Sequence, residues 1–260
     1  MAVLNFRSNQ KENSSTPLVI LHGLFGSSIN FNSILKSLSV PTIALDLRNH
    51  GESFHHKSMA YQHMADDVFH SLKKLNLNKC HLLGHSMGGK VALAFALNHP
   101  EMIDKLIIED MAPINYPTHI VYLKKIITRL AQLNLSTLAS KGEALEFLIK
   151  KIDLKIAQFL LTNLKRGPAQ KQGFFWQINI AAIGDNLGII TDFPALEGKK
   201  YLGNTYWIAG KQANYLTKDI YLNLTNHYPN SKYFSLNAGH WIHTEKKIEF
   251  LSLIEEILAK

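Results

Sequence analysis

The sequence predicts an α/β fold, a mainly parallel central sheet with helices on both faces, interrupted by one helical insertion. Three observations predict it. Short apolar runs alternate with amphipathic or Ala/Leu-rich stretches toward both ends of the chain, the rhythm of strand–helix–strand units that demands parallel strands and crossover helices. Two strand-to-helix junctions are glycine-rich, at 22–26 and at 84–88. Between about Pro113 and Leu196 the rhythm breaks into long apolar-basic helical stretches. With 260 residues, 46% of them hydrophobic, the chain can bury one α/β core and carry one insertion. The expected core is 1–112 with 197–260, and the expected lid is 113–196.

Strands are expected near residues 2–7, 17–22, 41–46, 79–84, 104–110, 205–209 and 231–236. Leu18-Val19-Ile20-Leu21 and Leu106-Ile107-Ile108 are unbroken apolar runs, as strands buried on both faces require. Helices are expected near 28–38, 60–75, 87–98, 217–227 and 245–258. Within the insertion, Tyr122 to Leu135, Lys141 to Lys151 and Leu154 to Leu164 read as further helices. The lone Cys80 falls in a predicted buried strand, which excludes a disulfide framework.

The chemistry is concentrated in loops. Gly84-His85-Ser86-Met87-Gly88 lies between Cys80-His81-Leu82-Leu83 and the helical run Val91 to Leu97. A G-x-S-x-G string alone arises by chance in roughly one chain in twenty of this length, and its serine could simply cap a helix. Strand before and helix after make it a nucleophile elbow, with Ser86 lifted clear of the sheet on a strained turn. His22-Gly23-Leu24-Phe25-Gly26 follows the run 18–21 and can turn a backbone amide toward a developing oxyanion. The expected donors are the Leu24 and Met87 amides, the latter at a helix N-terminus.

A general base must reach the serine. His240 in Asn237-Ala238-Gly239-His240-Trp241 sits on a loop between the last strand and the last helix, with His243 as local competitor. His55, His56 and His63 lack a matching cysteine or carboxylate cluster, so no metal is expected. The acid is less direct. The turn after 205–209, Gly210-Lys211-Gln212-Ala213-Asn214-Tyr215, has no carboxylate, and Asp219 falls inside the next predicted helix. One strand earlier, Glu109-Asp110 ends the strand beside the elbow. Asp110 is the better-placed acid, with Glu109 on the other side of the pleat. Asp219, and a turn or cap role for Asp110 before Pro113, stay open. His22, His85 and Trp241 beside these motifs, and Trp176 in Gly173-Phe174-Phe175-Trp176, are the expected substrate contacts. Asp46 ends a strand and is expected to tie down the Arg48-Asn49-His50-Gly51 turn.

These motifs together resemble the α/β-hydrolase superfamily and, within it, small esterases of the YbfF type and their ABHD11-like relatives. The likeness rests on residues 21–27, Asp46 to Ser53, Gly84 to Lys90, Glu109-Asp110-Met111-Ala112-Pro113 and Gly239-His240-Trp241, and so spans most of the chain. It implies a Ser-Asp-His triad whose acid lies in the Asp-x-x-Pro segment, in agreement with Asp110. Ala213-Asn214 departs from relatives that carry a hydroxyl residue there.

The function expected is a serine esterase or thioesterase acting through an acyl-enzyme on short-to-medium acyl groups, possible acyl-CoA substrates included, without a cofactor. The alternatives are an idle α/β-hydrolase that binds a small ligand or partner, or a C–C hydrolase, lyase or acyltransferase on the same fold. The formal charge of +8 comes from scattered lysines, with no basic-aromatic module for nucleic acid. No apolar run has bilayer-spanning length and the start lacks an apolar signal segment, so a cytoplasmic monomer or small homo-oligomer is expected.

Overall fold

The computed structural model describes residues 3–11, 15–167, 173–194, 196 and 198–259. Seven strands form one sheet: β1 Phe6–Ser8, β2 Leu18–Leu21, β3 Thr42–Leu45, β4 Cys80–His85, β5 Ile103–Glu109, β8 Asn204–Gly210 and β9 Ser231–Leu236. Their order is β1-β3-β2-β4-β5-β8-β9, with only β1 antiparallel to its neighbour. A separate two-stranded sheet pairs β6 Leu164–Arg166 with β7 Phe174–Trp176.

The period of two decides what each face buries. Val19, Leu21, Leu82, Leu106, Ile108 and Trp207 enter one core cluster, while their alternating neighbours Leu18, Ile20, Leu83, Ile107, Tyr206 and Ile208 enter the other. Helices α1 Asn32–Ser37 and α11 Lys247–Ala259 cover the second cluster through Ile34, Leu35, Phe250, Ile254 and Ile257. On the first lie α2 Tyr61–Lys74 and α3 Met87–Asn98. The buried face of α2, Tyr61, Met64, Ala65, Val68 and Leu72, repeats at helical spacing.

The segment between β5 and β8 holds α4 Pro117–Ala131, α5 Lys141–Ile149, α6 Leu154–Leu160, α7 Ile180–Asp185 and α8 Leu187–Thr191, besides the β6/β7 hairpin. After β8 come α9 Lys218–Leu224 and α10 Ile242–Glu245.

Three expectations change. The first strand is Phe6–Ser8 rather than 2–7, whose first residue lies outside the described residues. Leu4 and Asn5 donate their amides to the hydroxyls of Ser71 and Ser53 instead of to a neighbouring strand. The helix expected over 154–164 stops at Leu160, since the chain turns there into the hairpin. The helix expected over 122–135 runs from Pro117, a residue that suits a helix's first turn, to Ala131.

The chain leaves β2 toward β3 on one side and later places β4 on the other. The loops after β2 and β4 therefore diverge, opening the crevice at the carboxyl ends of the strands where open α/β sheets bind ligands. Residues 22–26 and 86 lie at the two lips of that crevice.

Candidate active site

Ser86 has φ 54° and ψ −122°, a conformation that costs a non-glycine residue of order 1–3 kcal/mol. Close packing imposes it: a Cβ on Gly84 would collide with the backbone of Gly88, and one on Gly88 with the carbonyl of Leu21. The turn is further fixed by the Ser86 N–H, which donates to the Glu109 carbonyl at 3.1 Å.

The structure brings the three expected triad residues together. His240 Nε2 lies 3.0 Å from Ser86 Oγ, and His240 Nδ1 lies 2.7 Å from Asp110 Oδ2. With Nδ1–H donating to the carboxylate, Nε2 is left as an acceptor for the serine hydroxyl. Asp110 is fully buried, and its other oxygen accepts the Gly210 N–H at 2.9 Å. A φ of 48° at Asp110, just beyond the end of β5, swings its side chain away from the strand's alternation and toward the base. The His240 ring stacks on Tyr215, centroids 4.0 Å apart and planes 22° apart. Asp219 sits exposed in the first turn of α9. His243, the competing base, is buried and bonded to Glu109 at 2.8 Å.

Ser86 faces a cavity of about 430 Å³ bordered by Leu24, Met87, Tyr122, Ile156, Phe159 and Trp241 among others. The Phe25 amide is consumed by His50 Nε2 at 3.1 Å, and the Gly26 amide by the Gly23 carbonyl at 2.9 Å. The Leu24 amide has no protein acceptor among the described residues, and that of Met87, as the first residue of α3, has none within its helix. Both residues border the cavity that Ser86 faces.

The expected substrate contacts divide. Trp241 borders the cavity and packs on Phe159, with centroids 5.6 Å apart. His22 and His85 also border it, but both ring nitrogens of His22 and Nε2 of His85 serve the framework. His22 Nδ1 donates to the Gly23 carbonyl at 2.8 Å and Nε2 accepts the Leu47 N–H at 2.9 Å. His85 Nε2 donates to the His240 carbonyl at 2.9 Å. Trp176 is the expectation to correct. It lies in β7, in register with Leu164, partly buried against the core cluster, and is not among the residues that border the cavity.

Electrostatics at this end of the sheet favour neutral rings. Burial lowers His22, and takes His50 and His85 to about 3, against opposing attraction from Asp46 and Glu109 respectively. Asp46, as expected, ties down its turn, accepting the amides of Ser28 at 2.6 Å and Glu52 at 3.0 Å. Its burial would raise the carboxyl, but those bonds and the Asn5 side chain hold it below the usual range.

Sequence reasoning missed two residues here. Lys90, buried at 1% exposure, donates to the carbonyls of Ile114, Thr191 and Asp192 at 3.0, 3.1 and 2.8 Å. Burial lowers its amine to about 7, against the attraction of Asp192. It thereby ties α3 to both ends of the insertion. Tyr116 donates its hydroxyl to the Tyr215 carbonyl at 2.6 Å and so supports the ring beneath His240. A lysine four residues after the elbow serine was a visible signal; the tyrosine contact had none.

Residues 16–247 match the family model described as the alpha/beta hydrolase fold, so the chain belongs to that family. It is 37% identical to an sn-1-specific diacylglycerol lipase, ABHD11, of Danio rerio over 253 residues, covering 92% of this chain and 77% of the relative. A putative esterase/lipase of Haemophilus influenzae is 33% identical over 267 residues, covering 100% and 89%. Among solved structures, a marine microorganism esterase superposes with a TM-score of 0.92 at 32% identity, covering 98% of this chain and 99% of that one. The chain is thus an esterase/lipase-type hydrolase of the ABHD11-like branch. Among the described residues no helix is long and apolar enough to cross a membrane.

Proposed function

We propose that the protein is a serine carboxylic-ester hydrolase that turns over short-to-medium acyl esters or thioesters through an acyl-enzyme. The carrying observation is the continuous hydrogen-bonded line from Ser86 Oγ through His240 to Asp110, at 3.0 and 2.7 Å. In this reading His240 Nε2 takes the Ser86 proton as Oγ bonds to the substrate carbonyl carbon. Asp110 stabilises the imidazolium, and the Leu24 and Met87 amides hold the oxyanion. Collapse breaks the bond to the alcohol or thiol, which leaves with the proton from His240. Water then adds to the acyl-enzyme with the same histidine as base, releasing the acid and restoring Ser86.

The cavity supports the acyl side of the proposal. Its border is largely aliphatic and aromatic, with a smaller set of polar groups that includes Ser86 and His240, the pattern of a pocket that binds an apolar chain and reacts at its head. The segment 113–196 serves as its lid. The Danio rerio relative's name brings glycerolipid esters into the substrate class to be tried. Basic residues in the insertion also suit an anionic leaving group such as that of an acyl-CoA. The single cysteine is buried and unpaired, consistent with a cytoplasmic place of action. The intact triad opposes the idle-binder reading. The test is p-nitrophenyl butyrate turnover by wild type and Ser86→Ala: loss of three or more orders of magnitude supports the proposal, and retention of most activity refutes it.

A further inference from the structure

Behind the proposed triad lies a second acid–histidine pair. Glu109, the last residue of β5 and fully buried, accepts both the backbone N–H and the Nδ1–H of His243 on Oε1, at 2.9 and 2.8 Å. Glu109 and Asp110 are consecutive, and the histidines they hold, His243 and His240, lie three residues apart on one turn. Two adjacent acids thus grip two points of the same loop. The third connection runs from the nucleophile's side. His85, which precedes Ser86, donates Nε2–H to the His240 carbonyl at 2.9 Å, and the Glu109 carbonyl accepts the Ser86 amide at 3.1 Å. The rings close the arrangement: His85 lies 4.8 Å from His240 and 4.9 Å from His243, and His243 stacks on Phe31 at 4.4 Å.

We infer that Glu109 and His243 are positioning residues that set where His240 stands relative to Ser86, by clamping the base's loop to the strand end that also carries the acid and anchors the elbow. The inference rests on the triad reading of the preceding section.

Its physics is that of a buried pair. Removing one partner leaves the other charged or polar group uncompensated in the interior, whereas replacing both with apolar residues of like volume is often neutral for stability. Burial alone would raise the Glu109 carboxyl, but the attraction of His243 and the two bonds it donates hold it below the usual range, so it stands as a carboxylate acceptor. His85, Glu109 and His243 each offer a ligand atom within 4.8 Å of the others, a spacing a metal could use. Two of those rings are already committed, His243 Nδ1 to Glu109 and His85 Nε2 to a carbonyl. Glu109 Oε2 has no hydrogen-bond partner among the described residues, so the clamp rests on the two bonds to Oε1, and a bound metal is an outcome of the test.

The test uses Glu109→Gln, His243→Phe and the apolar double variant Glu109→Leu/His243→Phe, whose phenyl ring can keep the stack on Phe31. Thermal unfolding, kcat and KM with p-nitrophenyl butyrate, and the rate of labelling at Ser86 by a fluorophosphonate are measured on each. Positioning predicts that the folded double variant loses kcat about 10- to 100-fold with KM within twofold, because misplacement of reacting groups acts on the barrier rather than on binding. Labelling slows by the same factor. A folded double variant with wild-type kcat and labelling rate would overturn the clamp and leave a packing role only. Activity abolished by EDTA and restored by zinc would overturn it in favour of a metal centre. Wild type that neither labels at Ser86 nor turns over ester would instead sink the triad reading itself.

Discussion

The carboxyl end of the sheet and the insertion above it border one cavity but are built on opposite principles. At the sheet end, Asp46, Asn49, His50, His85, Glu109 and Asp110 are buried polar groups, and their hydrogen bonds run mainly to backbone in neighbouring loops. The insertion is apolar inside, through Ile126, Leu130, Ala144, Leu148, Ala157 and Leu160, and is joined to the core by shared apolar packing and by polar bonds. These include the Lys90 contacts, Asn163 Nδ2 donating to the Phe25 carbonyl at 2.7 Å, and Tyr61 donating to the Ile190 carbonyl at 2.6 Å. Directional bonds fix geometry to tenths of an ångström, while apolar packing tolerates exchange of side chains of similar volume. In the proposed mechanism the chemistry is placed where position matters, and the fit to substrate where size does.

The largest effect that would break this contrast belongs to the sheet end. Asp110→Asn should lower kcat about 10⁴-fold by losing the carboxylate that fixes the His240 tautomer. Asp219→Asn, on an exposed helix turn, should leave it unchanged. Turnover lost in Asp219→Asn but kept in Asp110→Asn would return the acid to the later position.

Acid should dismantle the same end first. His22, His50 and His85 are held neutral, their folded pKa lowered from 6.5 by burial, the latter two to about 3. Their stability contribution is complete above pH 6.5 and is lost as pH falls toward 3, because the unfolded chain binds protons that the folded one refuses. His50 and His85 give a slope of at most about 3 kcal/mol per pH unit across that window, and His22 acts in the same direction. Chemical denaturation at pH 7, 6, 5 and 4 checks it, and a flat profile would contradict the neutral assignment.

Lys90→Met tests the joint between the regions. It leaves three carbonyls at the ends of the insertion without their shared donor, and should cost roughly 2–4 kcal/mol. Limited proteolysis should then cut within 113–196 before the core. The smallest effects lie in the cavity. Trp241→Ala should raise KM about tenfold for short acyl esters by removing apolar contact at the border. Trp176→Ala should leave the acyl-length profile within twofold, which a panel of p-nitrophenyl esters from acetate to decanoate would check.

The same contrast explains what could be read from the sequence. At the sheet end, the proposed site sits in short local patterns: a G-x-S-x-G between strand and helix, an H-G-x-x-G after a strand, a Gly-His pair after the last strand. Local pattern was enough to point to Ser86, Leu24, Met87 and His240, and the absence of a carboxylate after 205–209 pointed to Asp110. The pairing of Glu109 with His243 was half visible, as two adjacent acids and two histidines three apart, but that the turn brings both pairs together is a tertiary fact. In the insertion, apolar periodicity indicated helices and little more. It does not tell which of several helices faces a cavity, so Trp176 was placed at the substrate when it packs on the core, and the β6/β7 hairpin and the short helices α7 and α8 went unread. The first strand was displaced for a related reason: two serine hydroxyls from distant positions capture the amides of Leu4 and Asn5.

The most direct test of the central claim is covalent labelling with a fluorophosphonate probe, followed by peptide mass mapping of wild type, Ser86→Ala and Asp110→Asn. The triad predicts one modified peptide containing Ser86 in wild type, none in Ser86→Ala, and labelling slowed by orders of magnitude in Asp110→Asn. Modification at another residue, or a wild type that does not react under conditions where an active esterase control does, would contradict it.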